Sequence, residues 1–332
     1  MQLERVVLEV FGGCNYTCDM CPQSTGRGKN WTRKMPLTMF EKVLDEITPK
    51  YGKPVINLEG SGEPTMAKDL PKYIEACTKR GLPSFMYCNG TFMRGQFMRD
   101  CIDAGLDFVR FSCIGYTPEL YKKWMSQDRF EYVRNNAMET QHYIQQSNSS
   151  CQVSSYHLIL DNENIEHEVQ QYQKNWIDPV DCIGYIWKMH NWSGNLDPTY
   201  QREPRPKRSC GRPFAPELTV RAGGIDGLQG AVTPCCQTMG PPNEDKSVLG
   251  HFHNQSFEDI WYGDSYNKLR KAHEMGDFDS IDYCKDCDFL YEDPEVLVWS
   301  NDPGASTDYM LGTKFSLADY KPNHWFQQGI KD

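Results

Sequence analysis

The chain lacks the features that would assign it to a membrane or a nucleic acid. No apolar run approaches the ~18 residues that a bilayer-spanning helix needs. Positive charge is not in excess, since 35 Lys and Arg residues stand against 45 Asp and Glu residues, a net charge of −10. Because an acidic chain repels phosphate, we expect no general binding of nucleic acid or anionic membranes. Residues 1–5 also lack the basic and apolar regions of a signal peptide, so we expect a cytoplasmic protein.

Internal repeats are absent too, and the overall composition is that of a globular protein. The 332 residues are 39% hydrophobic and 24% charged, which suggests one large domain and a smaller one. Cysteine, by contrast, is abundant, with fourteen residues. In a reducing cytoplasm, clustered cysteines indicate metal binding or redox chemistry rather than a disulfide framework.

Short apolar runs alternate with helical patterns over the first 190 residues or so. The predicted strands are 6–11, 55–58, 84–87, 108–111, 153–160 and 182–187, and the predicted helices are 36–47, 69–80, 94–104, 117–145 and 163–175. This alternation predicts parallel strands joined by right-handed crossovers. Six units are too few for a closed eight-unit barrel of ~250 residues. We therefore expect an α/β fold with a partial, TIM-like (β/α)6 barrel over residues 1–200.

The pattern changes after residue 195. Residues 201–208 are proline-rich and basic, which is typical of a linker. Glycines, short extended pieces and one amphipathic helix, 257–275, follow. We therefore expect a small α+β domain over residues 201–290 and a C-terminal tail, 291–332, that packs on the barrel.

Three cysteines, Cys14, Cys18 and Cys21, lie within eight residues directly after the first predicted strand. A loop suits them, because the ligands of one metal cluster must converge. A structural zinc site needs four protein ligands, and a cubane iron–sulfur cluster has four irons to ligate. Three thiolates therefore leave one position open for a substrate or cofactor. On these residues alone, the alternatives are a zinc knuckle and a chance cluster of cysteines.

The Cys-x3-Cys-x2-Cys spacing after the first strand resembles the signature of radical SAM enzymes. The resemblance implies that the three cysteines hold a [4Fe-4S] cluster whose fourth iron binds S-adenosylmethionine (SAM). One-electron reduction would then cleave SAM to methionine and a 5'-deoxyadenosyl radical, which abstracts a substrate hydrogen. The expected partners are a small-molecule or peptide substrate and an electron donor such as flavodoxin or ferredoxin, with no nucleic acid and no membrane.

The ends of the next three strands resemble further parts of that family. The segment after the second strand is similar to its Gly-Gly-Glu-Pro motif, which binds the SAM amino group, although Ser61 replaces the first glycine. Asn89 falls where the family has Thr-Asn-Gly, and Ser112 falls where it often has a SAM-contacting serine, although the aspartate of its Ser-x-Asp-Gly is missing. The predicted cofactor-binding residues are therefore Gly62, Glu63, Pro64, Asn89 and Ser112.

A second group of cysteines lies near the C-terminus. Its surroundings resemble the auxiliary-cluster domains of the family, which are called SPASM or, in shortened form, Twitch. No cysteine follows Cys287, so the count supports one auxiliary [4Fe-4S] cluster, with Cys236 in reserve as a replacement for Cys235. Zinc held by four thiolates is the alternative. The predicted ligands are Cys210, Cys235, Cys284 and Cys287.

The reaction is the least determined part of this interpretation. A single auxiliary cluster can accept the electron of a substrate radical, which favours an oxidoreductase that dehydrogenates a small polar molecule. Cys88 and Cys113, at strand ends, are candidate hydrogen donors to a substrate radical or else inert buried residues. The alternatives are a peptide-modifying enzyme, by epimerisation or crosslinking, and a non-enzymatic zinc or iron–sulfur binding module.

Two polar segments are candidates for substrate contact. The first follows the sixth predicted strand and includes Lys188, His190 and Asn191. The second is basic and either faces an acidic substrate group or forms a solvated linker, which is the interpretation we favour. Its members are Arg202, Arg205, Lys207, Arg208 and Arg212.

Overall fold

The computed structural model describes residues 1–25, 33–161, 163–195, 206–238, 244–291 and 297–303. Its strands are β1 Arg5–Leu8, β2 Val55–Asn57, β3 Ser84–Cys88, β4 Phe108–Ser112, β5 Gln152–Leu158, β6 Ile183–Trp187, β7 Glu217–Val220, β8 Ala231–Thr233, β9 Gly250–His251 and β10 Leu297–Ser300. Its helices are α1 Leu37–Tyr51, α2 Leu70–Thr78, α3 Gly95–Asp103, α4 Pro118–Met125, α5 Phe130–Ser147, α6 Ile165–Tyr172, α7 Asp178–Val180, α8 Glu244–Ser247, α9 Phe257–Trp261 and α10 Asp264–Met275. A π-helical turn, Gln173–Ile177, joins α6 to α7.

The strands β1 to β6 lie side by side in chain order, and each pairs in parallel with the next. Parallel neighbours require crossover connections, and helices supply them along this part of the chain. The predicted partial (β/α)6 barrel is thereby confirmed. Because the strands run the same way, their C-terminal ends and the loops that follow meet at one edge, where barrels of this kind carry their active sites.

The C-terminal region extends the same sheet. Strand β7 pairs in parallel with the free side of β1, and β8 and β9 follow by antiparallel pairing. The predicted division near residue 200 therefore separates two parts that share one sheet. At the opposite edge, β10 pairs antiparallel with β6, so this piece of the predicted tail packs on the barrel. Residues 304–332 of that tail lie outside the described residues.

Two predicted helices are each divided in the structure. The predicted helix 117–145 is α4 and α5, because Ser126 ends α4 in the left-handed conformation at φ 54°. The predicted helix 257–275 is α9 and α10, separated at Gly263, where an added Cβ would lie 2.3 Å from the Asp259 carbonyl oxygen. No helix among the described residues is long and apolar enough to cross a membrane.

The barrel interior contains a buried cation, Arg110 on β4. Its guanidinium lies 3.8 Å from the ring centroid of Tyr185 and donates hydrogen bonds to the Tyr87 hydroxyl at 2.8 Å and the Ser154 hydroxyl at 3.0 Å. Aromatic faces and hydroxyls together replace the water that the cation loses on burial.

Candidate active site

The loop after β1 brings Cys14, Cys18 and Cys21 together. Burial is the largest cause of raised thiol pKa values here, to about 12 for Cys14 and about 11 for Cys21. Burial and the charges of both neighbouring thiols raise the pKa of Cys18. Three thiols that act on one another in this way are close together. Because burial disfavours thiolates, a bound cation is what stabilises them there, and this donor set fits an iron–sulfur cluster.

The loop after β2 packs directly against the Cys14–Cys21 loop. The backbone N–H of Glu63 donates to the Gly13 carbonyl at 2.8 Å. A Cβ at Gly62 would lie 2.2 Å from the Phe11 carbonyl oxygen and 2.4 Å from that of Gly13. Only glycine allows the two backbones to come this close. The predicted motif therefore has a packing reason at its second glycine.

The departure from the motif at Ser61 also has a structural partner. Its hydroxyl donates to Glu9 Oε1 at 2.6 Å and accepts from Arg221 Nη2 at 2.8 Å. Arg221 Nε donates to Glu9 Oε2 at 2.6 Å, and both side chains are buried. This charged pair joins β1 to β7. Neither residue is among the predicted site residues. Their pairing is not evident from the sequence, because Arg221 follows a strand that we predict to lie in a separate domain.

Glu63 and Asn89 hold the neighbouring loops in place. The Glu63 carboxylate accepts from the Thr65 backbone at 3.1 Å and from the Asn89 backbone at 2.6 Å, and burial raises its pKa to about 7. The Asn89 amide donates to Asn15 Oδ1, inside the cysteine loop, at 2.7 Å. Both residues therefore connect the loops that surround Cys14.

These loops line one cavity of about 300 Å³. Gly62, Glu63, Asn89 and Ser112 contribute to its wall, whereas Pro64 does not. The C-terminal region contributes further residues. Tyr156 lies near both ends of the cavity, since the charges of Cys236 and of Cys21 each raise its pKa after the larger effect of burial. The cavity therefore extends from the Cys14–Cys21 loop to the C-terminal region, whose contributors are Arg212, Thr219, Arg221, Cys236, Gln237 and Phe289.

The two predicted hydrogen donors occupy different positions. Cys113 is not part of the cavity wall, because Ser112 faces the cavity and successive strand residues face opposite sides. Cys88 lies at the wall but is only 2% exposed. Burial raises the pKa of both thiols. This placement gives no support to Cys113 as a donor and leaves Cys88 a prediction.

The predicted auxiliary ligands converge from three separate segments. The thiols of Cys210 and Cys235 raise the pKa of Cys284 and also that of Cys287, beyond the larger effect of burial. Cys236 instead lines the cavity, where its sulfur accepts from Arg212 Nη1 at 3.5 Å. The geometry thus favours Cys235 over Cys236 as the ligand. Within the described ranges, no three His, Cys, Asp or Glu side chains are arranged to hold a single metal ion, whereas the thiolates of a cubane bind different irons and need not meet at one ion.

Asn191 joins the barrel to this second site. Its backbone N–H donates to Asp288 Oδ2 at 2.9 Å, its amide donates to the Asp286 carbonyl at 2.7 Å, and its Oδ1 accepts from the Asp288 backbone at 3.1 Å. We expected a substrate contact here, but these bonds use the side chain for structure. Lys188 and His190, from the same prediction, do line the cavity.

Comparison with known proteins agrees with both cysteine sites. The family model of the radical SAM superfamily matches residues 8–172, and that of an iron–sulfur cluster-binding domain matches residues 227–288.

Individual relatives have low sequence identity to this chain. The chain is 28% identical over 167 residues to an uncharacterized protein of Methanocaldococcus jannaschii, a match that spans 50% of this chain and about half, 53%, of that protein. It is 23% identical over 286 residues to the S-adenosyl-L-methionine-dependent 2-deoxy-scyllo-inosamine dehydrogenase of Niallia circulans, covering 85% of this chain and 91% of the dehydrogenase. The structure of Streptococcus suis SuiB bound to precursor peptide SuiA has a TM-score of 0.62 at 12% identity, covering 81% of this chain and 67% of SuiB. That likeness shows a shared fold.

Proposed function

Because this chain belongs to the radical SAM superfamily and carries a C-terminal iron–sulfur cluster-binding domain, we propose that it is an oxidoreductase that dehydrogenates a small polar substrate. The first domain implies SAM and a [4Fe-4S] cluster, and the second implies auxiliary iron–sulfur chemistry. When bound, these groups supply the one-electron cleavage of SAM, whose deoxyadenosyl radical removes a hydrogen atom from the substrate. The single observation that carries the proposal is the cavity shared by the three-thiol loop and the strand-end loops.

In this proposal the residues of the first site bind and orient. Cys14, Cys18 and Cys21 hold the cluster, with one position left for SAM. Gly62 lets the backbone after β2 approach the cysteine loop, so its peptide groups lie at the wall beside that position. Asn89 fixes the same loop through Asn15, and Ser112 presents a hydroxyl from the end of β4.

The aromatic wall protects the reacting atoms. Tyr156 and Trp187 line the cavity, with their ring centroids 4.8 Å apart. Apolar faces at this position exclude water, which limits the quenching of a reactive intermediate by solvent. A substrate held against them would lie between the two cysteine sites.

The second site suits electron acceptance. Four thiols, those of Cys210, Cys235, Cys284 and Cys287, would complete the coordination of a cubane and leave no position for substrate. A cluster held there would supply electron acceptance, which the oxidation of a substrate alcohol to a ketone or aldehyde requires. The name of the Niallia circulans relative, a dehydrogenase that aligns with 85% of this chain, supports this outcome.

We also propose a cytoplasmic location and a small electron-transfer protein, such as flavodoxin or ferredoxin, as the reductant. The support for the location is the cysteine content, since all fourteen cysteines are free thiols and such a set persists in a reducing compartment. A low-potential donor is required because one electron must enter for each SAM cleaved.

The proposal is tested by anaerobic reconstitution with iron and sulfide, followed by reduction in the presence of SAM. We expect a broad absorbance near ~400 nm, as thiolate-ligated iron–sulfur clusters show, and the formation of methionine and 5'-deoxyadenosine in equal amounts. A preparation that binds zinc and no iron, or that contains the clusters but leaves SAM intact, would contradict the proposal.

Peptide modification is the competing outcome, and the fold shared with SuiB is its only support. Epimerisation is separated from dehydrogenation by running the reaction in D2O, and crosslinking, which also removes two hydrogens, is recognised by its peptide substrate. Epimerisation through an exchangeable thiol donor places deuterium on the substrate carbon, whereas dehydrogenation yields a product two hydrogens lighter with no deuterium at that carbon. Mass spectrometry of the product decides between them.

A further inference from the structure

One arginine in the cavity wall is held in place without a carboxylate partner among the residues that the structure describes. Arg212 donates from Nη1 to the Cys236 sulfur at 3.5 Å, and its guanidinium lies 5.3 Å from the Phe289 ring centroid. Its Nε is buried and has no hydrogen-bond partner among the described residues. The Glu217 carboxylate acts on it electrostatically but pairs with Arg5 at 3.1 Å.

The other arginines of the cavity wall have acidic partners. Arg5 pairs with Glu217, and Arg221 pairs with Glu9 at 2.6 Å. Of the three arginines that line the cavity, Arg212 is therefore the one that pairs with no carboxylate in the described part of the chain. A guanidinium that is fixed by a ring and a thiol, with donors left over, is prepared for an anion from outside the protein.

A second polar group without a partner lies beside it. Gln237 lines the cavity, is 6% exposed, and leaves Oε1 without a hydrogen bond among the described residues. Its Nε2 lies 3.9 Å from the same Cys236 sulfur. Because the two ends of an amide are interchangeable by a flip, Gln237 offers the cavity either an acceptor or a donor. Leaving buried polar groups unmatched is unfavourable, so two at one place indicate a ligand.

We propose that Arg212 and Gln237 form an anion subsite and that the substrate carries a carboxylate or phosphate group, which binds there. The inference rests on the proposed function, since it identifies the substrate class of the same cavity. The planar guanidinium matches two oxygens of either group at once. Arg212, Tyr156 and the Cys14–Cys21 loop line the same cavity, so a substrate anchored at Arg212 has room to extend past Tyr156 toward that loop.

A different role for Arg212 would be to offset the negative charge of the nearby thiolates, because Cys235 and Cys210 also act on it. That role concerns the auxiliary cluster and requires no ligand. The two roles differ in what an arginine substitution changes: anion affinity in one case, and the iron content or the spectrum of the cluster in the other.

The test uses the reconstituted holoenzyme with SAM and without reductant. Inorganic phosphate and acetate are the probes, titrated at constant ionic strength, and the thermal unfolding midpoint is the readout. We expect a saturable rise with at least one anion, and the one that saturates at lower concentration identifies the group. Arg212→Gln should weaken this anion at least tenfold and Gln237→Leu about threefold. Lys79→Gln, which removes an exposed cation paired with Glu75 on α2, is the control and should behave as wild type.

Three results would overturn the subsite. They are no saturable effect of either anion on wild type, unchanged affinity in Arg212→Gln, and an altered electron paramagnetic resonance spectrum of the reduced, SAM-free Arg212→Gln protein with the anion affinity intact. If Arg212→Gln loses iron, the anion affinity of Gln237→Leu, measured on protein with full iron content, decides whether the subsite exists. The formation of 5'-deoxyadenosine is measured separately, because its absence in wild type refutes the proposed function, whereas anion binding without the predicted change in the variants refutes the subsite alone.

Discussion

The first cysteine site takes its thiols from one short loop, whereas the second collects them from segments that are far apart in the chain. Cys14, Cys18 and Cys21 need only the turn after β1 to converge. Cys210, Cys235 and the Cys284–Cys287 pair meet because β7 and β8 extend the barrel sheet and Asn191 holds the last loop. The first site opens into the cavity, and the predicted ligand set of the second has four thiols. A local site is available for chemistry, and a site assembled by the tertiary structure suits electron transfer and structural closure.

The largest expected effect separates the two sites completely. Replacement of Cys14, Cys18 and Cys21 by Ala should abolish 5'-deoxyadenosine formation, because no cluster remains to bind SAM. Iron should fall from about eight to about four atoms per chain, since each cubane holds four. Chromatography with mass spectrometry and iron analysis measure both quantities. Cys77→Ala, at a buried cysteine in α2 that belongs to neither site, is the control and should retain about eight.

Separate substitutions of the adjacent Cys235 and Cys236 show which of the two is a ligand of the second site. Cys235→Ala should lose about four iron atoms per chain and the oxidised product, while SAM cleavage continues without coupling to the substrate. Cys236→Ala should keep its iron, because this thiol faces the cavity. Iron content and product yield of the two variants are compared directly. The opposite pattern would make Cys236 the ligand.

The close backbone packing at Gly62 supports the first site, and its disruption should have a smaller effect than the loss of a cysteine. Gly62→Ala places a methyl group 2.2 Å from the Phe11 carbonyl, so we expect a loss of about 1–3 kcal/mol in the free energy of unfolding and at least a tenfold loss of SAM affinity. Gly95→Ala meets no atom within 4 Å but has φ +56°, which costs about 1–2 kcal/mol. Denaturation and SAM titration should show that only Gly62→Ala affects SAM.

Asn191 tests how the second site depends on the barrel. Asn191→Ala removes the side-chain bonds to the Asp286 and Asp288 backbone, and we expect a loss of about 1–3 kcal/mol. Iron should leave the auxiliary site faster in the presence of a chelator, with the Cys14–Cys21 site unaffected. Asn135→Ala, at an exposed position on α5, is the matched control. Equal rates of iron loss in both variants would show that Asn191 does not support the second site.

The smallest expected effect is a pH dependence of stability that arises from Glu59 in the cavity wall. Burial raises the pKa of Glu59 from 4.5 to about 7, so the folded protein holds this proton more tightly than the unfolded chain does. Stability from this group is therefore complete below about pH 4.5 and is lost as the pH rises through about 7. Glu59→Gln should remove this decline. Urea unfolding of the metal-free proteins across this range measures it.

Local patterns were enough to predict the barrel and the first site. Each of the six predicted strands overlaps an observed one, and the cysteine spacing places its thiols on a loop whatever the rest of the chain does. The two divided helices were not predictable in this way. Ser126 and Gly263 interrupt helical patterns whose apolar spacing continues across them. Because α4 ends before Ser126, the Met125 carbonyl is left 3.7 Å from the Cys18 sulfur, which donates to it.

The order of residues along the chain by itself determined the fold class, the three-thiol loop and the number of cysteines available for a second site, because strand periodicity and short ligand spacings are local properties. The tertiary structure alone decided that β7 continues the barrel sheet, that Cys235 and not Cys236 faces the other thiols, that Asn191 is structural, and that Arg212 reaches the cavity. The physical reason is that these outcomes depend on contacts between residues far apart in the chain, and such contacts arise only when the sheet forms and the two outer strands of the barrel, β1 and β6, acquire neighbours.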